Sequence, residues 1–168
     1  PSTVPAELSP PQEAQVGIGQ YDVRVTPLQV AMVTSAVAND GVVMRPYLVQ
    51  SVLGSDLSEI SETKPEQLSK AMEPETADEL TDMMKLVVER GTGTQAAVPG
   101  YSVAGKTGTA EHADGAAPHA WFTGFAPADN PKIAVAVVVE DGGRAGNEAY
   151  GGSVAGPISA AVMKAALE

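Results

Sequence analysis

Three strand-like runs in the second half of the chain constrain its fold more than any other feature. They read YSVAGKTGTAEH, HAWFTGFAP and KIAVAVVVE. Parallel neighbours need a crossover of about a dozen or more residues, whereas antiparallel neighbours need only a short turn. The link that ends in Asn130-Pro131 leaves no room for a crossover helix. We therefore predict an antiparallel sheet whose strands pair in sequence order, near residues 101–111, 119–126 and 132–140.

Capping signals and apolar periodicity predict helices around this sheet. Thr26-Pro27 supplies an N-cap hydroxyl and a proline at the first helical position, and the apolar spacing that follows is helical as far as Gly41. A second helix begins at Pro74 and stops at Gly91, and an Ala-rich helix near 153–167 closes the chain. The residues expected to cover the sheet from this last helix are Val154, Ile158, Val162 and Leu167. The predicted class is α+β, an antiparallel sheet flanked by helices.

The remaining segments look irregular, and a chain of 168 residues suits one domain. Residues 1–15 are Pro-rich and are predicted to form an extended N-terminal segment. Residues 54–72 are polar and acidic, which indicates a variable hairpin or loop excursion. The segment DGGRAGNEAYGG before the last helix is expected to be a flexible loop.

Composition excludes several classes of function. The formal net charge is −11 and the pI about 4.5, and so acidic a surface repels phosphate backbones, which argues against nucleic-acid binding. There is no cysteine, so the chain has no disulfide and no thiol nucleophile. The two histidines, His112 and His119, are tied to no carboxylate pattern, so we expect no metal site and no cofactor. No apolar run approaches the ~20 residues that span a bilayer.

The stretch GYSVAGKT, from Gly100 to Thr107, matches the phosphate-binding pattern G-x-x-x-x-G-K-[ST]. The later apolar run ends in Glu140 and Asp141, like an acidic strand end that holds magnesium in nucleotide hydrolases. A phosphate loop, however, needs a buried strand before its glycines and a helix that begins at its lysine. Here Pro99 precedes the motif, and glycines and a proline follow it. A nucleotide-binding protein is therefore a remote alternative.

The other interpretation places Lys106, Thr107 and Thr109 on a strand beside a groove. Side chains alternate along a strand, so the two threonines share one face and the lysine takes the other. All three can serve one pocket only if the strand lies at the sheet edge. Gly105 and Gly108 would then allow another backbone to approach, and a fixed ammonium with hydroxyls suits a carboxylate ligand. An edge lysine that only discourages aggregation explains these residues equally well.

Here the sequence resembles a known family. VAGKTGTAEH, followed by AWFTGFAP and KIAVAVVVE, is similar to the Lys-Thr-Gly strand of penicillin-binding proteins and the strands after it. GIGQYDVRVTPLQVAMVTSAVANDGVVMRPYLV, VVERGTGTQA and AYGGSVAGPISAAV resemble the family in the same order. The similarity covers nearly the whole chain and is greatest to monofunctional, class B transpeptidases, whose fold is β-lactamase-like.

The resemblance implies a serine D,D-transpeptidase that cross-links peptidoglycan stem peptides through an acyl-enzyme and binds β-lactams, in cell-wall synthesis, cell shape and division. It implies that Lys106 and Thr107 hold a substrate carboxylate. The backbone N–H of Thr109, next to Gly108, would form half of an oxyanion hole, and His112 would line the rim of the groove. Trp121 is expected in the core rather than in the groove.

Two motifs that the family requires are not recognisable. Its nucleophile lies in a Ser-x-x-Lys motif, aided by a Ser-x-Asn triplet, both upstream of the Lys-Thr-Gly strand. The match here, Ser61 to Lys64, precedes Pro65, which disfavours a helix at that point. We therefore expect residues 1–168 to be the C-terminal part of one transpeptidase domain, with an incomplete fold and no activity alone. The upstream part of the protein would carry both motifs.

Further alternatives remain open at the level of sequence. A D,D-carboxypeptidase or β-lactamase-type serine hydrolase would use the same acyl-enzyme, and a non-enzymatic β-lactam sensor would stop at the adduct. The resemblance also implies a location at the extracytoplasmic face of the bacterial plasma membrane, with an anchor outside these residues. The expected partners are the upstream part, peptidoglycan stem peptides and β-lactams.

Overall fold

The computed structural model describes residues 1–112 and 114–168, which form four α-helices and seven β-strands. The helices are α1 (Pro10–Gly17), α2 (Pro27–Val37), α3 (Pro74–Arg90) and α4 (Gly151–Leu167). The strands are β1 (Val42–Met44), β2 (Ser51–Leu53), β3 (Glu59–Glu62), β4 (Gln67–Lys70), β5 (Ala104–Ala110), β6 (His119–Ala126) and β7 (Ile133–Val139). None of these helices is both long and apolar enough to cross a bilayer.

The predicted central sheet is confirmed. Strands β5, β6 and β7 pair antiparallel in sequence order. In the register, Lys106 lies opposite Thr123, and Phe122 lies between Thr107 and Val137. Within the described residues β5 is an edge strand, as the groove interpretation requires. Because no helix begins at Lys106, the nucleotide-binding interpretation of this motif is wrong.

Helices cover both faces of the sheet, which confirms the α+β class. On one face Phe122 packs in a buried cluster with residues of α4, including Ala155 and Met163. On the other, Phe125 packs with Val37 of α2, and partly buried residues of α3 complete the cluster. The two phenylalanines have opposite parity on β6, so alternation along one strand supplies both cores.

The buried face of α4 agrees with the predicted one only in part. Leu167 packs against the core cluster that contains Phe122, and Val154 is half-buried. Ile158 and Val162 are each 45% exposed. The residues that face the sheet are instead Gly151, Gly152, Ala155, Gly156, Ser159 and Met163. Because the helix is apolar on all sides, spacing alone does not select a face. Phe122, which is fully buried, already fills the space above the sheet, so the side of the helix with small residues packs closest.

The prediction of an extended segment over residues 1–15 is wrong in its second half, where α1 begins at Pro10. Ser9 and Gln12 form a capping box. The Ser9 backbone N–H donates to Gln12 Oε1 at 2.7 Å, and the Ser9 hydroxyl donates to the same oxygen at 2.8 Å. With Pro10 at the first helical position, this signature begins a helix despite the proline content. The first residues are extended, and Thr3 pairs with Arg24.

The predicted start of α2 agrees with the structure, although the helix ends at Val37 and a turn follows it as far as Gly41. The Thr26 hydroxyl accepts the Gln29 N–H at 3.2 Å and caps α2. The 54–72 excursion contains β3, which forms a hairpin with the preceding β2, and β4, which returns to pair with β1. The Gly-rich loop forms short 3-10 turns between Glu140 and Glu148, interrupted by positive φ angles that begin at Asp141.

Ser102 ties the turn after β6 to the start of β5. Its hydroxyl donates to Asp129 Oδ1 at 2.8 Å and accepts the Ala128 N–H at 3.0 Å. The hydrogen bond from Ser102 lowers the pKa of Asp129, because it stabilises the ionised carboxylate. Its contribution to stability is therefore present at neutral pH and is lost as the pH falls through that lowered pKa.

A pair of threonines joins α2 to the sheet and yields a first prediction. Thr34 Oγ1 lies 2.5 Å from Thr123 Oγ1, which donates to the Val135 carbonyl at 2.9 Å. A hydroxyl has one hydrogen, so Thr34 must be the donor within the pair. Thr34→Val should reduce the free energy of unfolding by about 0.5–1.5 kcal/mol. Thr123→Val should reduce it more, because the Val135 carbonyl loses its donor as well. Denaturant unfolding of both variants measures the order, and equal losses would contradict this assignment of donors.

Candidate active site

A groove of about 810 Å³ lies beside residues 106–110 of β5 and extends over neighbouring residues of β6 and β7. One wall is the Lys-Thr-Gly strand, our name for residues 106–109 of β5, continued by His112. The opposite wall is the segment from Ile18 to Val25 that precedes α2. Sequence analysis did not predict this second wall, although its residues belong to the stretch GIGQYDVRV that resembles the family. The groove therefore joins segments about eighty residues apart in the chain.

The structure brings all the predicted site residues to this one groove. Lys106, Thr107, Gly108, Thr109 and His112 all line it. The lysine side chain is exposed, and its Nζ donates to the Thr107 carbonyl at 2.7 Å. Thr107 and Thr109, two residues apart, direct their backbone groups to the same side of the strand. An edge strand can thus present an ammonium, hydroxyls and backbone N–H groups to one extended ligand.

Thr107 has a partner that sequence analysis missed. Its hydroxyl lies 2.7 Å from the Thr92 hydroxyl, in the turn after α3. Helix α4 begins against this turn, since a Cβ placed on Gly152 would lie 2.0 Å from the Thr92 carbonyl oxygen. The start of α4 therefore fixes the position of Thr92, and Thr92 in turn orients the Thr107 hydroxyl. Its only signal in the sequence is its place in the turn that resembles the family.

The two glycines of β5, Gly105 and Gly108, serve packing inside the protein. A Cβ on Gly105 would lie 2.3 Å from Phe122 Cζ, so this glycine makes room for a core ring. At Gly108 the close neighbour is the first turn of α4. A Cβ on Gly151 would lie 2.7 Å from the Gly108 oxygen and 2.9 Å from its nitrogen. A backbone does approach Gly108, as predicted, and it belongs to this chain.

Trp121 was expected to lie in the core, but it is not a core residue. It pairs with Gly108 in the register and is half-buried, and its side chain lines the groove. It belongs to neither buried cluster. Because glycine leaves the position across from it without a side chain, the indole has open space on the groove side.

One end of the groove contains both histidines. The rings of His112 and His119 are stacked, with centroids 3.9 Å apart. Asp141, which follows β7 closely, lies beside both, and its backbone N–H donates to His119 Nδ1 at 3.0 Å. The expectation that no carboxylate accompanies the two histidines is therefore wrong, because the fold brings one from 22 residues further along the chain.

The Ser-x-x-Lys match lies outside the groove. Ser61 is an exposed residue of β3, and Lys64 forms an ion pair with Glu62. Neither residue is on a helix, where three-residue spacing would place a lysine beside a serine. The structure thus gives this pair no arrangement for nucleophilic catalysis.

Comparison with known proteins gives consistent matches. The family described as "Penicillin binding protein transpeptidase domain" matches residues 7–164. Peptidoglycan D,D-transpeptidase PbpA of Mycolicibacterium smegmatis is 52% identical over 153 residues, which cover 89% of this chain and 31% of that protein. PbpA of Mycobacterium tuberculosis is 46% identical over 94% of this chain and 33% of its own length. The chain spans about a third of the length of these relatives.

Solved structures give the same result. Penicillin-binding protein A from M. tuberculosis, as a ceftriaxone acyl-enzyme complex, superposes with a TM-score of 0.86 and 46% identity, covering 92% of this chain and 35% of that one. Penicillin-binding protein 3 from the same organism, in its apo form, gives 0.81 at 30% identity, covering 96% of this chain and 39% of that one. The antiparallel sheet and its helices are therefore those of a transpeptidase-type fold.

Proposed function

The chain belongs to the penicillin-binding protein transpeptidase domain family, and on that premise we propose that it is part of a serine D,D-transpeptidase of the peptidoglycan-synthesising, β-lactam-binding type. The observation that carries this proposal is the convergence of Lys106, Thr107, Gly108 and Thr109, all on the edge strand β5, on one groove. Relatives named peptidoglycan D,D-transpeptidases support the reaction, and a relative solved as a β-lactam acyl-enzyme supports the covalent intermediate.

The groove residues have distinct proposed roles. The Lys106 ammonium supplies a fixed positive charge for the carboxylate of a stem peptide or a β-lactam, and the Thr107 hydroxyl donates a hydrogen bond to it. The backbone N–H of Thr109 stabilises the oxyanion that forms when the serine attacks the carbonyl. One such donor is typically worth about 3–4 kcal/mol of transition-state stabilisation. Gly108 keeps the strand close to α4, and His112 lines the far end of the substrate groove.

We assign the nucleophile to a segment outside these residues. Residues 1–168 would then form the C-terminal part of one transpeptidase domain, and a Ser-x-x-Lys helix and a Ser-x-Asn triplet would complete the groove. The position of Ser61 on an exposed strand supports this assignment. The function also implies action at the extracytoplasmic face of the plasma membrane, with an anchor elsewhere in the protein.

A labelled penicillin tests the proposed function. The complete protein should form a stable covalent adduct, and digestion with mass spectrometry should locate it on a serine outside residues 1–168. The 168-residue chain alone should remain unlabelled. Rapid turnover of the penicillin by the complete protein would indicate a hydrolase instead, and an adduct on Ser61 would contradict the assignment of the nucleophile.

The Thr92–Thr107 pair gives a second prediction. In the complete protein, Thr107→Val keeps the branched shape and removes the hydroxyl, so β-lactam acylation should slow by the equivalent of about 1–3 kcal/mol. Thr92→Val should slow acylation by a smaller factor, because it removes only the partner that orients Thr107. Second-order acylation rates measure both effects. Thr94→Val, an exposed threonine of the same turn, is the control, and a larger effect at Thr92 than at Thr107 would contradict these roles.

A further inference from the structure

Three residues from separate segments meet at the end of the groove. His112 follows the end of β5, His119 is the first residue of β6, and Asp141 lies in the turn after β7. The three strands are neighbours in the sheet, so the antiparallel order brings these ends together. One ligand atom from each residue lies within 4.8 Å of the other two.

The distances fit a single small cation. Asp141 Oδ1 lies 3.1 Å from His112 Nε2 and 3.7 Å from His119 Nδ1. Zinc in proteins is tetrahedral, with bonds of about 2.0–2.2 Å to nitrogen and oxygen, so its ligand atoms are about 3.3 Å apart. The two observed distances lie on either side of that value. Because the two imidazole rings are stacked, 3.9 Å apart and 10° from parallel, their in-plane lone pairs do not converge, so one ring would have to rotate to bind the ion.

The chemistry of the three groups fits zinc as well. Neutral imidazole nitrogens and a carboxylate oxygen are ordinary zinc ligands. The Asp141 N–H donates to the lone pair of His119 Nδ1 at 3.0 Å, so this nitrogen is unprotonated, and a bound zinc ion would replace that hydrogen bond. Asp141 has a φ of +50°, a left-handed conformation that aspartate tolerates, and it directs both its N–H and its carboxylate towards the histidines.

We propose that His112, His119 and Asp141 form a binding site for one zinc ion. Three protein ligands leave a fourth position, and the partial exposure of both histidines leaves room there for water. The ion would link the ends of β5, β6 and β7 through their connecting segments. Since both histidines line the groove, the ion would also fix the wall of the groove beyond the Lys-Thr-Gly strand. The acidic surface of the chain favours the approach of cations.

Titration of the complete, chelator-treated protein with zinc chloride tests the site without any activity measurement. Calorimetry should give one ion per chain, and the melting temperature should rise with zinc concentration, because the ion binds the folded state. Cobalt(II) in place of zinc should give the intense visible absorption of a tetrahedral complex. Absence of saturable binding, or an octahedral cobalt spectrum, would overturn the proposal.

Variants locate the ion. His119→Ala and Asp141→Asn should each weaken zinc binding by about 100-fold or more, because loss even of an outer partner of a metal ligand weakens binding by about 10–100-fold. Glu140→Gln removes the neighbouring carboxylate and should leave the affinity unchanged. If His119→Ala does not fold, His112→Ala serves in its place, since His112 lies on an exposed segment. Equal binding by the ligand variants and the wild type would show that the histidines and aspartate form only a hydrogen-bonded cluster.

Discussion

Lys106→Ala in the complete protein should slow β-lactam acylation by about 100-fold or more, with an unchanged melting temperature. The lysine lines the groove, and in the complete domain that we propose the groove would be sheltered from bulk water, where a fixed charge attracts a carboxylate far more strongly than on an open surface. Removal of a single preorganised electrostatic contact typically slows catalysis by about 100- to 1000-fold. Stability should not change, because the side chain is exposed and belongs to neither core cluster.

The matched control is Lys132→Ala. Lys132 is an exposed lysine just before β7 and outside the groove. Its replacement by alanine therefore changes the net charge by the same amount without altering the site. Lys106→Arg adds a second comparison, because it keeps the charge and changes the shape of the donor group. Its rate should lie between those of the alanine variant and the wild type. If Lys106→Ala acylates as fast as Lys132→Ala, Lys106 is only an edge charge that discourages aggregation.

The parts of the fold that sequence predicted well depend on local signals. The order of β5, β6 and β7 followed from the shortness of their links, which excludes a parallel crossover. The start of α2 followed from Thr26 and Pro27, and the stop of α3 from Gly91. Each of these signals acts within a few residues, so the rest of the structure does not need to be known.

The parts that sequence did not predict depend on distant contacts. The face that α4 buries is chosen by Phe122 on another element, whereas the helix itself is apolar on every side. The position of Thr92 depends on its contact with the first turn of α4, and Asp141 reaches the histidines only after three strands have paired. The capping box at Ser9 is different, because the spacing of Ser9 and Gln12 is visible in the sequence. The prolines around it led instead to the prediction of an extended segment.

The second large effect is expected at Gly151, where the first turn of α4 meets the Lys-Thr-Gly strand. A Cβ there would lie 2.0 Å from the Trp121 carbonyl oxygen, as well as within 3 Å of the backbone of Gly108. All of these neighbours are backbone atoms of paired strands, so none can move as a side-chain rotamer does. Gly151→Ala should lower the free energy of unfolding by about 1–3 kcal/mol or more and should also slow acylation, because Gly108 must shift.

Gly156→Ala is the control in the same helix, and it separates the clash from any general effect of alanine. The nearest atom to a Cβ on Gly156 is the Ala96 nitrogen at 3.5 Å, an ordinary contact. Alanine inside a helix is favoured over glycine by roughly 0.5–1 kcal/mol, so this variant should be as stable as the wild type or more stable. The melting temperature should therefore fall in Gly151→Ala and stay equal or rise in Gly156→Ala. The acylation rate should fall in Gly151→Ala and be clearly higher in Gly156→Ala. Wild-type values for both quantities in Gly151→Ala would mean that the first turn of α4 can retreat freely, and that the position of Gly108 is set by β6 alone.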